Sequence, residues 1–417
     1  MRARLGSLAR DFLIWPAVIV GDAYLLLVYI GLGFLVVQRL NGGHFQLVIV
    51  GTGYGAAYIV AAMGGAVLGV RKGFKKTAVG ACVFLILAPV LMVASGTLPA
   101  LAVCAALLGA AGGAMWPNLE AELSRGRQGV ALRRRLSVFN ITWSLGTLAG
   151  PVLCGLLYPS ESVVYSEAGR QAINRVFLVS SFLAVAMVAL LLAWQVRIPD
   201  AAEASAAKEE PHDPRLLRAF LRMSYVANLM CFVVVGVFRQ LYEALADYLW
   251  QGQEPARIHS GLLAVLAAAS TLTFLFLSIA HRWPCRLKRF ILGQLCMLAG
   301  LAVIAFSSSP AVAAVGFALA GGAAAFFYSG SLYYSIQGRK ETEHLAGWHE
   351  MIIGIGKLGG ILLGLVPSFL AAIGVANEGI LVRSPYLALV ILFALACIVQ
   401  LVIYAASRPA CAGKAAP

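Results

Sequence analysis

Residues 12–38 read FLIWPAVIVGDAYLLLVYIGLGFLVVQ, a continuous apolar run carrying one charge, Asp22. A helix needs roughly 20 predominantly apolar residues to cross a bilayer. The run shows none of the alternation of a half-buried strand, so it reads as a spanning helix. Eleven similar runs follow, near 46–69, 77–96, 98–122, 136–158, 175–196, 220–246, 258–280, 289–307, 311–336, 348–373 and 385–406. With 61% hydrophobic and 12% charged residues over 417 positions, the chain has more apolar surface than a water-soluble domain can hide. Hydrocarbon offers the backbone no partners, which leaves only helices or closed barrels as spanning structures. The expected fold class is an all-α membrane protein of twelve transmembrane helices in two pseudo-symmetric six-helix bundles.

Basic residues orient it. With both termini cytoplasmic, inside segments and their flanks hold 25 Lys/Arg, among them Arg71 to Lys76 and Arg125 to Arg135, whereas outside segments hold five. This is the positive-inside bias. It also accounts for the formal net charge of +14 without nucleic acid, since no basic stretch carries interleaved stacking aromatics. The opening MRARLGSLAR precedes a run too long for a signal-peptide core, with no small-residue cleavage site after it, and reads as the flank of a retained first helix. The eight cysteines show no CxxC and no histidine at ligand spacing, so neither a metal site nor a disulfide framework is expected, and no cofactor.

The long polar interior stretch, RIPDAAEASAAKEEPHDPRLL at 197–217, lacks an apolar helical face and reads as a cytoplasmic linker between residues 1–196 and 218–417. Features recur across it at offsets of 210 to 213 residues: VRKGFK from Val70 with HRWPCR from His281, the Gly/Ala-rich segment from Leu107 with the run ending FFYSGSLYYSI, and Gly146-x3-Gly150 with Gly356-x3-Gly360. Parallel six-helix repeats of this kind enclose a site near the midplane in transporters.

These features together resemble the major facilitator superfamily over essentially the whole chain. The segment Gly65 to Lys76, GAVLGVRKGFKK, is similar to the superfamily's G-x-L-x-D-R-x-G-R-K signature, and Gly146-x3-Gly150-Pro151-x3-Gly155 to the G-x3-G-P-x2-G-G motif of its antiporters. The resemblance implies conformational gating at Arg71, Gly73, Lys75, Gly146, Gly150, Pro151, Gly155, Gly356 and Gly360. Two departures stand out. Val70 occupies the position of the signature aspartate, which in the family helps lock the halves on the cytoplasmic side, and Cys154 replaces a glycine of the antiporter motif. No sugar-porter or peptide-porter signature is present. In physical terms, glycines four apart let two helix backbones approach closely.

A charge at membrane depth costs at least ~2.5 kcal/mol and marks function by default. Asp22 is the expected proton carrier, because a desolvated carboxylate is suited to loading and releasing a proton. Lys357, flanked by glycines, is placed to hold an anionic group; the alternative is a structural pair with Asp22. Arg239 and Glu243 stand one helical turn apart, which also suits a local ion pair. The expected substrate cavity comprises Lys357, Arg239, Glu243, Tyr24, Trp116, Asn140, Trp143, Phe327 and Tyr328, with Tyr54 a further aromatic candidate. Glu120, Glu122, His349 and Glu350 lie near cytoplasmic helix ends and are expected at a solvated interface. The function expected is a secondary transporter of a small organic solute, proton-coupled, monomeric, in a bacterial inner membrane, with the antiporter-like motif favouring efflux. A transporter-like sensor or assembly protein is the alternative. No nucleophile–base constellation suggests an enzyme.

Overall fold

A computed structural model describes residues 11–125, 127, 129–157, 167–195, 214–250, 253–280, 283–336 and 342–407. Its helices are α1 (Ile14–Phe34, extended by a π-helical turn Leu35–Arg39), α2 (His44–Lys72), α3 (Phe74–Ala94), α4 (Leu98–Ser124), α5 (Gly129–Leu157) and α6 (Glu167–Ala193). After the linker come α7 (Pro214–Gln240), α8 (Tyr242–Leu249), α9 (Pro255–Ile279), α10 (Leu287–Phe306) and α11 (Pro310–Ile336), then α12 (Thr342–Leu362), α13 (Val366–Ala372) and α14 (Glu378–Ser407). Among the described residues there is no strand, and twelve helices are long and apolar enough to cross a membrane. Most of the expected linker, together with the loops at 158–166 and 337–341, lies outside the described residues.

Two expected spans are interrupted. The seventh breaks at Leu241, between α7 and α8, and the eleventh passes through a 3-10 turn at Leu363–Leu365 into α13. The second break has a sequence cause in Pro367, which has no N–H for a continuing helix. The first has none that local propensity would reveal.

Packing among α1 to α6 is repeated among the later helices. α1 rests on α5 and α6, α2 on α4, and α3 on α4 and α6; correspondingly α7 rests on α12 and α14, α9 on α11, and α10 on α11 and α14. The two sets meet where α2 packs on α12 and α5 on α9. The repeat extends to single atoms. A Cβ on Gly146 would lie 2.4 Å from the Ile19 carbonyl and one on Gly356 2.5 Å from that of Leu229; Gly150 and Gly360 stand likewise against the carbonyls of Ala23 and Val233. Both glycine pairs, and the carbonyls they meet, keep one spacing of 210 residues. Gly109 against Tyr54 and Gly321 against Leu266 give a third pair. These glycines are therefore close-packing positions between neighbouring helices.

α1 and α7 are the most enclosed spans, with 89% and 72% of their apolar windows buried. Leu156, Phe182, Phe276 and Ile398 are exposed on the outside of the helix sets, as lipid-facing surface requires. At the α2–α3 turn Gly73 has φ +98°, a conformation that L side chains rarely adopt. Lys75 then donates to the carbonyls of Leu192 (3.0 Å) and Trp194 at the end of α6, satisfying acceptors that have no helical partner. Arg71 and Val70 are exposed.

Candidate functional site

A central cavity, about 650 Å³ of empty space counted together with its opening, lies between the two helix sets. It is built from helical stripes. α1 contributes Asp22, Leu25, Leu26 and Tyr29, spaced three, four and seven apart; α7 contributes Phe232, Val235, Gly236 and Arg239 at the same spacings. Pairs four apart come from α2 (Tyr54, Tyr58), α4 (Trp116, Glu120) and α5 (Phe139, Trp143), while α12 supplies Glu350, Ile353 and Lys357 and α11 supplies Tyr328. Such spacings put side chains on one helix face.

Asp22 is buried at the α1–α5 crossing. Its Oδ2 accepts a hydrogen bond from the Thr147 hydroxyl, and the Trp143 side chain also reaches the carboxylate. Gly146 permits this approach, since a Cβ there would sit 2.9 Å from that of Asp22. Opposite, Arg239 and Lys357 are partly exposed to the cavity. Lys357 Nζ lies 4.5 Å from the ring centre of Tyr58, 5.6 Å from Phe232 and 5.9 Å from Tyr54, an aromatic box that holds an ammonium by cation–π attraction. Among the described residues, no carboxylate lies within 4.0 Å of either cation. The cavity lining thus combines two cations, a buried carboxyl and several Tyr and Trp rings.

Bridges between the two sets of helices flank this space. Toward the basic loops, Tyr58 donates to Glu350 Oε2, Tyr328 donates to Glu120 Oε1 at 3.2 Å, and the Trp143 and Tyr328 rings stack at 5.3 Å with planes 3° apart. Toward the other face, Gln240 Nε2 donates to the Leu47 carbonyl at 3.4 Å, and Gly51, Gly55 and Gly364 bring α2 against α12 and its following turn. Glu120, His349 and Glu350 each offer one ligand atom within 4.8 Å of the others, all three side chains buried.

Of the residues expected in the cavity, the structure brings together Asp22, Lys357, Arg239, Trp116, Trp143 and Tyr328. Tyr54 joins them. Four are placed elsewhere. Tyr24 points into the α1–α3 packing and donates to the Leu85 carbonyl at 2.6 Å. Asn140 lines a separate small cavity with Phe274 and Trp283, and Phe327 faces Gly293 and Phe290 on α10. Glu243 lies beyond the break at Leu241, so no helical turn joins it to Arg239. Its Oε1 instead stands 3.7 Å from His259 Nδ1, with Gly33 of α1 against it.

The solvated interface expected at Glu120, Glu122, His349 and Glu350 is not observed. Glu120, His349 and Glu350 are 1%, 0% and 3% exposed, because the helix ends that carry them are pressed together by the α4–α12 and α11–α12 contacts. Glu122 is also buried, 3.5 Å from Arg125. Periodicity would have found the missed lining residues: Tyr29 is seven residues from Asp22, Glu120 four from Trp116, Glu350 seven from Lys357. It would also have set Tyr24 aside, since neighbours two apart do not share a face. Among the gating positions, Gly146 and Gly150 serve the α1–α5 crossing and Gly356 and Gly360 the α7–α12 crossing, Pro151 sits inside α5 and Gly155 faces Ser260 of α9.

No curated protein matches the chain in sequence. Its fold is similar to solved transporters along nearly the full length. A bacterial homolog of the human lysosomal transporter Spinster, inward-facing and occupied, superposes with a TM-score of 0.68 at 13% identity, covering 96% of this chain and 98% of the other. A mutant of the nucleoside transporter NupG gives 0.65 at 11% identity, covering 96% and 100%. The transporter FucP in its outward conformation gives 0.59 at 14% identity, covering 93% and 99%. The family model of the Major Facilitator Superfamily matches residues 12–361. With twelve spanning helices, a repeated six-helix packing and a central charged cavity already in view, that match places this multi-pass membrane protein in the major facilitator superfamily as a transporter.

Proposed function

We propose that the chain carries a small organic solute bearing an anionic group, together with a proton, by alternating access. The observation that carries this reading is the pair of cations without a close carboxylate, Arg239 and Lys357, lining the cavity that also holds Asp22. An ionised Asp22 competes for their charge. A proton on Asp22 leaves both free to hold an anion, and a bound anion makes Asp22 accept a proton more readily, so solute and proton bind together. Tyr29, Tyr54, Trp116 and Trp143 offer flat apolar faces to the rest of the solute. The glycine motif that suggests efflux serves helix packing in both helix sets, which leaves the electrostatic linkage to carry direction: the solute follows the proton.

In this reading the moving bodies are residues 1–196 and 218–417, joined by the linker 197–217, and the protein acts as a monomer in a bacterial inner membrane with both termini cytoplasmic. The recurrence of helix pairings supports that division. The test is a thermal-shift screen of purified protein against small organic anions. A ligand at about 100 times its Kd stabilises by about 2.7 kcal/mol. Stabilisation should be lost in Lys357→Met and Arg239→Met. Hits that stabilise both variants as strongly as the wild type would refute the assignment.

A further inference from the structure

We infer that Glu120, His349 and Glu350 form a binding site for a divalent transition-metal ion at the seam between α4 and α12. Three ligand atoms, two carboxylate oxygens and an imidazole nitrogen, lie within 4.8 Å of one another in side chains no more than 3% exposed. The Ser331 hydroxyl engages His349 Nδ1 at 3.0 Å, leaving Nε2 as the ligand atom. That nitrogen is buried without a hydrogen-bond partner, and beyond Tyr328 the Glu120 carboxyl has only the adjacent Glu350 carboxyl to pair with. The other oxygens are held from outside: Tyr328 donates to Glu120 Oε1 at 3.2 Å and Tyr58 to Glu350 Oε2.

This is the anatomy of a metal site, with ligands oriented by surrounding hydrogen bonds and their second imidazole nitrogen engaged. Two adjacent buried carboxylates repel, and a divalent ion neutralises both. The mixed imidazole and carboxylate set fits the manganese-to-zinc series better than calcium or magnesium, which prefer oxygen alone. Lys357, two turns along α12 from Glu350, stays in its aromatic box and makes no salt bridge to the cluster. Because Glu120 is on α4 and the other two ligands on α12, a bound ion ties the two helix sets together at the cavity wall, where Glu120 and Glu350 are part of the lining. The site uses that cavity's position but not its solute chemistry.

The experiment uses chelator-treated full-length protein in detergent with zinc or cobalt as the only added ligand. Wild type should bind one equivalent of zinc and unfold at a higher temperature when loaded. Glu350→Gln and His349→Gln should each lower zinc affinity at least about tenfold, and Ser331→Ala by about tenfold through loss of ligand orientation. His349→Cys should give cobalt a thiolate charge-transfer absorption that wild type lacks, a readout that appears instead of vanishing and so needs only a folded protein. Asp22→Asn should change metal affinity far less than either glutamine variant, which separates this site from the solute and proton reading. The inference is overturned if folded wild type binds no zinc, so that the carboxyls merely share a proton. It is equally overturned if both glutamine variants bind as tightly as wild type and the cysteine variant gives no new band.

Discussion

A methyl group added at Gly150 tests whether the α1–α5 crossing is as tight as the structure shows. An alanine Cβ there would lie 2.4 Å from the Leu26 Cβ and 2.9 Å from the Ala23 carbonyl, both on α1. Carbon atoms in contact rest about 3.5–4.0 Å apart, so the helices must separate by roughly 1 Å. Because one obstacle is backbone, no rotamer change relieves it. Overpacking of this size costs about 1–3 kcal/mol, against a helix-propensity gain of about 0.5–1 kcal/mol for replacing glycine. Gly155→Ala isolates the second effect: its Cβ would meet only Ser260 Cβ at 3.5 Å, an ordinary contact. The second helix set offers the same comparison, with Gly360→Ala striking the Val233 carbonyl at 2.2 Å and Gly359→Ala meeting a Val233 methyl at 3.6 Å. Thermal unfolding midpoints of the purified proteins should rank Gly150→Ala below Gly155→Ala and Gly360→Ala below Gly359→Ala. Equal midpoints within both pairs, or the reverse order, would refute the packing argument.

Tyr58→Phe removes the hydroxyl that joins α2 to Glu350 on α12. A hydrogen bond to a charged group contributes about 1.5–3 kcal/mol, so the balance between conformations should shift by roughly ten- to a hundredfold away from this one. Spin-label distances between α2 and α12 should broaden or lengthen, and an unchanged distribution would show that the bond does not hold the helices. For orientation, a cysteine introduced at Glu378 should react with an impermeant reagent in intact cells and one at Lys76 should not. Labelling at Lys76 alone would invert the topology.

The spans were legible because lipid makes continuous apolar runs unmistakable, and the intramembrane charges Asp22, Arg239 and Lys357 because lipid makes each one costly. What the sequence concealed follows from tertiary contact. Glu120 and Glu350 sit near helix ends, where depth alone cannot distinguish a water-facing carboxylate from one enclosed by a neighbouring helix. The grouping of Glu120, His349 and Glu350 is hidden in the sequence for a related reason: position 120 and positions 349 and 350 are far apart in the chain, and ligand spacing on a single helix does not report on two helices that meet. Glu243 illustrates a third limit. Its turn-to-turn relation with Arg239 requires a helix continuous past Leu241, and nothing local at that residue announces the break. Tyr24 differs, since its position two residues from Asp22 already excluded a shared face.

The most direct measurement is gradient-driven uptake in proteoliposomes, using a solute that stabilises the purified protein, compared between wild type and Asp22→Asn. Asparagine keeps the volume and the acceptor for the Thr147 hydroxyl while fixing the side chain in a neutral state. Accumulation driven by a pH gradient should therefore vanish, while exchange of labelled for unlabelled solute persists at near wild-type rate. A double substitution, Asp22→Asn with Lys357→Met, checks the structural alternative: if the single variant expresses poorly and the double variant recovers, Asp22 balances Lys357 in the fold. Full gradient-driven accumulation by Asp22→Asn, or by the double variant, would contradict proton coupling at Asp22.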